Sequence, residues 1–140
     1  MEAIKYLGLD FDTVLTKMRA DEELLDYSKI EGFEFLMLKE KGFFLSSLYG
    51  ERVITSCKLY FVEEEGYFPA KNSVRGKYSN IKSFEDMEKL LGPCTKVYRG
   101  LKIPGGPLIL PSREYEDGKY LVSAAAKDGT EITCISIKLK

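Results

Sequence analysis

Histidine is absent from the 140 residues of this chain. Its absence removes the commonest general acid or base near neutral pH, the usual nitrogen ligand of zinc, and every nucleophile activated by an imidazole. Any catalysis would therefore have to rest on carboxylates, lysine, tyrosine or cysteine alone.

Cysteine is scarce as well, and its three positions are Cys57, Cys94 and Cys134. An odd number at wide spacing, with no Cys-x-x-Cys pair, argues against a disulfide framework and against a thiolate zinc site. We expect the thiols to be reduced. Cys57 and Cys134 lie within β-like runs, so we expect them to act as small buried hydrophobes.

Long apolar runs are also missing, since no stretch approaches the roughly 18 residues that a membrane span requires. The first residues, MEAIKYLGLD, lack the basic region, apolar stretch and cleavage site of a signal peptide. These absences predict a cytoplasmic protein with no membrane partner. The formal net charge of −1 gives no overall field for binding nucleic acid.

The composition that is present is ordinary for a globular domain, with 44% hydrophobic and 31% charged residues. A chain of this length can bury about two thirds of its unfolded surface around one core. We find no internal repeat and no convincing linker. We therefore predict a single domain over residues 1–140.

Two short helices are predicted. The first follows from apolar residues at i, i+3, i+4 and i+7, namely Phe11, Val14, Leu15 and Met18. Asp10 precedes them as a natural N-cap. The acidic stretch 21–26 is either a further helical turn or a solvated connection. The second helix begins after Ser83, which can accept hydrogen bonds from first-turn amides, and stops at Gly92-Pro93.

The rest of the chain favours β structure. Aromatic and branched residues interrupted by KEKG and YGER predict a three-stranded meander, and Asp128-Gly129 predicts a later hairpin. The expected strands lie near 33–39, 43–49, 52–62, 113–126 and 130–139, with a short one in CTKVY. We predict an α+β fold with a mostly antiparallel sheet of about five to six strands and two short helices packed on it.

The stretch Asp10-Phe11-Asp12-Thr13-Val14 fits the Asp-x-Asp-x-Thr/Val motif of magnesium-dependent phosphatases of the haloacid-dehalogenase type. That motif needs a central parallel strand, which reads as a continuous apolar run, but residues 3–9 contain Lys5 and Gly8. The chain also gives consecutive strands instead of alternating strands and helices. We interpret Asp10 as a helix cap and Asp12 as a first-turn carboxylate.

Charge is unevenly distributed along the chain. No acidic residue interrupts residues 66–84, where cations alternate with Phe68 and Tyr78 and could follow a phosphate backbone; a solvated loop is the favoured interpretation. Acidic groups at 21–26, at 63–65 and at 114–117 could converge on a basic partner or could simply be solubilising charge.

The order of elements from residue 41 onward resembles that of small bacterial immunity proteins. These are the antidotes encoded beside polymorphic toxins, including those of contact-dependent growth inhibition systems and pyocin-like bacteriocins. The shared features are a Lys-Gly-apolar strand, a strand ending before Glu-Gly-Tyr, the pattern Ser-x-x-Asp-x-x-x-Leu-Leu-Gly-Pro and a final hairpin. In this chain they occur in KGFFLSSLYGERVITSCKLYFVEEEGYFPA, SFEDMEKLLGPCTKVYRG and REYEDGKYLVSAAAKDGTEITCISIKL.

The resemblance implies a cytoplasmic protein without catalytic activity, metal or cofactor. It would bind the C-terminal domain of a cognate toxin, such as a nuclease, and occlude its active or substrate-binding surface. A non-catalytic adaptor that binds peptides or proteins at a sheet edge is the alternative, and the phosphatase is less favoured. The candidate partner-binding residues are Glu63, Glu64, Glu65, Tyr67, Glu114, Glu116 and Asp117.

Overall fold

The structure is a computed structural model that describes residues 1–128 and 130–140. Its main feature is a sheet of eight antiparallel strands, in the order β1-β2-β3-β4-β10-β9-β8-β5. These strands are β1 (Asp26–Ile30), β2 (Phe33–Leu38), β3 (Phe43–Leu48), β4 (Ser56–Tyr60), β5 (Lys96–Tyr98), β8 (Ser112–Asp117), β9 (Tyr120–Lys127) and β10 (Glu131–Leu139). A separate pair is formed by β6 (Leu101–Lys102) and β7 (Leu108–Ile109).

Three helices accompany the sheet: α1 (Phe11–Ala20), α2 (Asn72–Arg75) and α3 (Phe84–Leu91). Single 3₁₀ turns occur at Ala3–Tyr6, Lys39–Lys41 and Gly76–Tyr78. The α+β class and the antiparallel sheet agree with the sequence prediction. The predicted counts of five to six strands and two helices were too low.

The extra strands have simple physical origins. The predicted strand at 113–126 is two strands, because the chain reverses at Gly118, whose φ of 59° lies in the left-handed region. Strand β1 is an edge strand with mostly exposed residues, so it lacks the apolar alternation that reveals a strand. Strands β9 and β10 pair antiparallel as predicted, and Gly129, which the sequence predicts in the connecting turn, lies outside the described residues.

The strands alternate side chains between two faces, which we call the covered face and the open face. The covered face packs against the helices in one continuous core. Its strands contribute Leu36, Leu45, Leu59, Tyr115, Val122, Ala124, Ile135 and Ile137, and the helical segments contribute Phe11, Val14, Met18, Val74, Tyr78, Phe84 and Met87. The predicted amphipathic stripe of α1 is therefore confirmed.

Both predicted helix caps are present. The Asp10 carboxylate accepts hydrogen bonds from the backbone N–H and the hydroxyl of Thr13, each at 2.9 Å. The Ser83 hydroxyl accepts from the backbone N–H of Asp86, whose carboxylate accepts in return from the Ser83 N–H. This capping box marks the start of α3, and Gly92, with a positive φ of 86°, marks its end.

The three cysteines are free. Cys57 and Cys134 are buried in strands, as predicted, and burial raises the pKa of the Cys57 thiol to about 12. In the part of the chain that the structure describes, no helix is long and apolar enough to cross a bilayer.

Candidate partner-binding face

The open face of the sheet carries the clearest candidate site. The apolar side chains Ile30, Phe33, Leu48 and Tyr98 on this face are between 40% and 55% exposed. Helix residues and covered-face residues share one core cluster, and none of these four belongs to it. A sheet face left without a layer of helices is available for another molecule.

Strand register arranges the centre of the open face into one row. Lys58 of β4 lies beside Ser136 of β10, which lies beside Ser123 of β9, and Ser123 lies beside Glu114 of β8. The row continues to Phe44 on one side and to Lys96 on the other. Small hydroxyl side chains therefore occupy the middle, with a cation and a carboxylate at its two sides.

A groove of about 490 Å³ follows this row. Its lining includes residues from six strands, β3, β4, β10, β9, β8 and β5, so the sheet must curve around it. Phe44 and Lys58 line one side and Tyr98 and Glu114 line the other. Among residues 1–128 and 130–140, neither Lys58 nor Glu114 forms an ion pair, which leaves both charges available to a ligand.

Aromatic rings extend from the groove across the β2–β3 half of the open face. The centroids of Phe35 and Phe44 lie 5.6 Å apart in an edge-to-face arrangement, and Phe33 lies 6.2 Å from Phe35. Tyr60 and Tyr67 stack with centroids 4.2 Å apart. Tyr60 and Tyr67 are buried and pack against Phe44, whereas Phe33, Phe35 and Phe44 remain exposed or half-buried. The rings hold one another in place, so these three phenylalanines offer apolar contact area at low entropic cost.

The predicted acidic residues 63–65 lie in a turn after β4, at one end of the open face. Glu63 and Glu65 are exposed and Glu64 is half-buried. The Tyr60 hydroxyl donates a hydrogen bond to the Glu65 carboxylate at 2.7 Å, and burial, followed by this bond, raises the pKa of Tyr60.

Tyr67 anchors this turn from beneath. Its side chain is only 5% exposed, and its backbone N–H donates to the Glu64 carbonyl at 2.8 Å. Burial, together with nearby Glu65, raises the pKa of Tyr67 to about 12. Tyr67 thus supports the acidic turn from within the structure. Glu63 is exposed, and Glu65, although exposed, also accepts the bond from Tyr60.

The remaining predicted residues lie on β8 and divide between the two faces. Glu114 and Glu116 lie on the open face, where Glu114 lines the groove. Asp117 lies on the covered face and accepts hydrogen bonds at 2.7 Å from the Lys77 ammonium and from the Tyr78 hydroxyl. Burial opposes ionisation of Asp117, but these two donors outweigh it and lower its pKa.

The seven predicted residues therefore do not form one patch. Residues 63–65 lie at the end of β4, and Glu114 and Glu116 lie on β8, with β10 and β9 between them. Sequence reasoning missed the groove residues Phe44, Lys58, Tyr98, Ser123 and Ser136. Each lies on a predicted or partly predicted strand, but only the strand order and the register place them on one row.

The Asp-x-Asp stretch of the sequence analysis has a structural role away from the open face. Asp12 pairs with Arg52, which also pairs with Glu34, and the Tyr27 hydroxyl donates to Glu34 as well. Glu34 is 2% exposed; its burial favours a raised pKa, but the bonds from Tyr27 and Arg52 lower it. Within the described residues, no three carboxylate or cysteine side chains group closely enough to hold a metal ion.

The basic stretch 66–84 is largely tied to the body of the protein. Lys77 pairs with Asp117, Tyr78 is fully buried, and the Arg75 guanidinium lies 3.9 Å from the centre of the Phe61 ring. These contacts engage two of its four cations, and three of its four aromatic side chains, Tyr67, Tyr78 and Phe84, are buried.

Comparisons with known proteins bear on the fold. No family model and no curated protein matches this chain. Two solved structures are similar over its whole length: a cysteine-rich secretory protein from Staphylococcus aureus (10% identity, TM-score 0.58) and an extracellular protein containing an SCP domain from Bacillus anthracis (11% identity, TM-score 0.63). A DUF4309 family protein from Bacillus subtilis matches 83% of this chain and 64% of its own length at 16% identity, with a TM-score of 0.41.

The chain spans about half the length of the first two proteins, 47% and 46% respectively. At these identities the similarity shows a shared fold and carries no information on activity.

Proposed function

We propose that this chain is a non-catalytic protein-binding domain that acts as a cytoplasmic immunity protein. It neutralises a cognate toxin by covering the active or substrate-binding surface of the toxin's C-terminal domain. The observation that carries this proposal is the open face: one side of the sheet is buried under helices, and the other presents aromatic side chains and a groove. The immunity role itself rests on the sequence resemblance.

The size of the open face suits a stable protein interface. Eight strands spaced about 4.8 Å apart, with about six residues each, give a face of roughly 34 by 20 Å. That is close to the ~800 Å² that each partner contributes to a typical interface.

The chemistry of the face also suits such an interface. Phe33, Phe35 and Phe44 form a supported aromatic centre of the kind that carries most of the binding energy in interfaces. The acidic turn at 63–65 lies at one end, where it would speed association with a basic toxin.

The direct test begins with the gene immediately upstream. If it encodes a large secreted protein, the C-terminal domain of that protein is co-expressed with this chain. We expect rescued growth and a stable complex of the two proteins. Continued toxicity together with no complex by gel filtration would reject the immunity role.

Two variants locate the interface within that complex. Phe33→Ala removes an exposed ring without opening the core, and we expect it to raise the Kd at least tenfold. Glu63→Lys should slow association and raise the Kd in a salt-dependent manner. The control is Glu85→Lys, an exposed carboxylate on α3 at the covered side. An unchanged Kd for both test variants would remove the open face from the proposal.

An adaptor that adds a peptide strand to the sheet is the second candidate. It is favoured by β1, an edge strand whose only strand partner in the described chain is β2. In that case a bound peptide would protect the amides of β1 from hydrogen exchange, and Phe33→Ala would leave its affinity unchanged.

A further inference from the structure

A short hairpin projects from the sheet and has no role in the proposed interface. We call residues 99–110 the arm. Within the described residues its strands β6 and β7 pair only with each other, with Leu101 beside Ile109 and Lys102 beside Leu108. The turn at its tip is Pro104-Gly105-Gly106-Pro107, closed by a hydrogen bond from the Gly106 N–H to the Ile103 carbonyl at 2.8 Å.

The arm exposes an unusual amount of aliphatic surface. Leu101 is 53% exposed, Ile103 42%, Leu108 65% and Ile109 48%. None of these four side chains belongs to the hydrophobic core cluster. Four large exposed aliphatic side chains within nine residues indicate a site that binds an apolar surface of a protein or a membrane.

The charge of the residues in and around the arm indicates what kind of surface covers it. Residues 89–113 contain no acidic residue and five cations. Lys89 pairs with Glu85 and Arg113 with Glu88, whereas no other described residue forms an ion pair with Lys96, Arg99 or Lys102. The arm thus combines an aliphatic tip with three cations that have no ion pair within the described residues: Lys102 beside Leu108, Arg99 at the base of the arm and Lys96 just before it. Its complement is apolar and anionic.

We infer that the arm docks peripherally on an anionic lipid bilayer. Ile103 and Leu108, which flank the Pro-Gly-Gly-Pro tip, enter the boundary between headgroups and acyl chains. Lys96, Arg99 and Lys102 contact anionic headgroups behind them. This contact needs no membrane-spanning segment, but it departs from the sequence expectation of no membrane partner.

The dimensions of the arm favour a bilayer over a protein as its occupant. From Gly100 to Gly105, five residues at about 3.3 Å each reach about 16 Å, more than the ~5–10 Å to which peripheral apolar groups enter. Four side chains on a hairpin this narrow cover far less than the ~800 Å² that each partner contributes to a typical protein interface. Docking on an anionic bilayer requires an apolar segment long enough to enter it and cationic charge beside that segment. The arm has both.

The test is sedimentation of the full chain with vesicles of phosphatidylglycerol and phosphatidylcholine, compared with vesicles of phosphatidylcholine alone. We expect salt-sensitive binding to the anionic vesicles only. The variant Ile103→Asp/Leu108→Asp should lose this binding. Replacing the three cations with glutamine should weaken the partition coefficient about fivefold per charge, about a hundredfold in all. The control Leu24→Asp, which changes an equally exposed leucine outside the arm, should bind like the wild type.

Three results would overturn the inference: no binding to anionic vesicles, equal binding to both vesicle types, or unchanged binding by the Ile103→Asp/Leu108→Asp variant. A change in that variant's oligomeric state by light scattering, with no vesicle binding by the wild type, would identify the arm as a protein contact instead. Toxin binding is a separate readout, because the arm variant leaves the groove and the aromatic rings intact.

Discussion

The covered and open faces are built from the same strands, yet their side chains meet opposite environments. On β10, Ile137 is fully buried against the helices, whereas its neighbour Ser136 lines the open groove. On β8, Asp117 is bound by Lys77 and Tyr78, whereas its neighbour Glu116 is exposed. The comparison teaches that most of the buried core lies on one face, while the exposed positions of the other face are free to be selected for binding.

The largest contrast is expected on β10. Ile137→Ala should lower the free energy of unfolding by about 2–5 kcal/mol, because it leaves a cavity in a core with no exposed surface at this position. Ser136→Ala should change it by less than about 0.5 kcal/mol. Urea denaturation of both variants measures the difference, and equal losses would contradict the division into two faces.

A smaller contrast is expected on β8. Asp117→Asn should cost about 1–2 kcal/mol, because it weakens a charge-assisted bond to Lys77 and the bond from the buried Tyr78 hydroxyl. Glu116→Gln should stay within about 0.5 kcal/mol. A larger loss of stability for Glu116→Gln than for Asp117→Asn would contradict the assignment of Asp117 to the covered face and of Glu116 to the open face.

Acidic pH should lower the free energy of unfolding through Glu34 and Asp117, which both lie on the covered face. The pKa of each is lowered on folding from ordinary values of 4.5 and 3.8, so the stability that they contribute is complete above those values and is lost as the pH falls through the folded pKa. Unfolding midpoints in urea should therefore decline below about pH 4.

Glu34→Gln isolates part of this effect. The variant should be less stable than the wild type by about 1 kcal/mol at pH 7, and its stability should change less with acid. An identical pH profile for the variant and the wild type would show that the carboxylate of Glu34 does not contribute.

The smallest stability change is expected at Asp10. Asp10→Ala should lower the free energy of unfolding because it removes the acceptor for the Thr13 amide, and Asp10→Ser should preserve it because serine also caps helices. The phosphatase alternative makes a different prediction. Magnesium-dependent hydrolysis of phosphate esters that Asp10→Asn abolishes would replace the capping role with a catalytic one.

Local signals in the sequence were sufficient for the elements that depend on local chemistry. Ser83 and Gly92 predicted the two ends of α3, and Asp10 predicted the start of α1. The alternation after residue 32 predicted the β2–β3–β4 meander. Each of these features depends on a cap, a turn residue or a period that a short window contains.

The candidate site could not be predicted in the same way. The groove depends on β10 lying between β4 and β9, which brings Lys58, Ser136, Ser123 and Glu114 into one row although they are far apart in the chain. Nothing in a short window encodes that neighbour relation. For a related reason Asp117 lies on the face opposite to Glu114 and Glu116, because a shift of one position along a strand changes the face.

The central position of β10 also has a consequence for biosynthesis. The strands β1 to β4 leave the ribosome first, but residues 61–130 must be made before β10 can pair with β4. Until then β4 presents an unpaired edge, and nascent chains crowded on one messenger RNA could join there. Efficient production of this protein should therefore depend on chaperone capacity during translation more than that of a protein whose sheet grows in chain order.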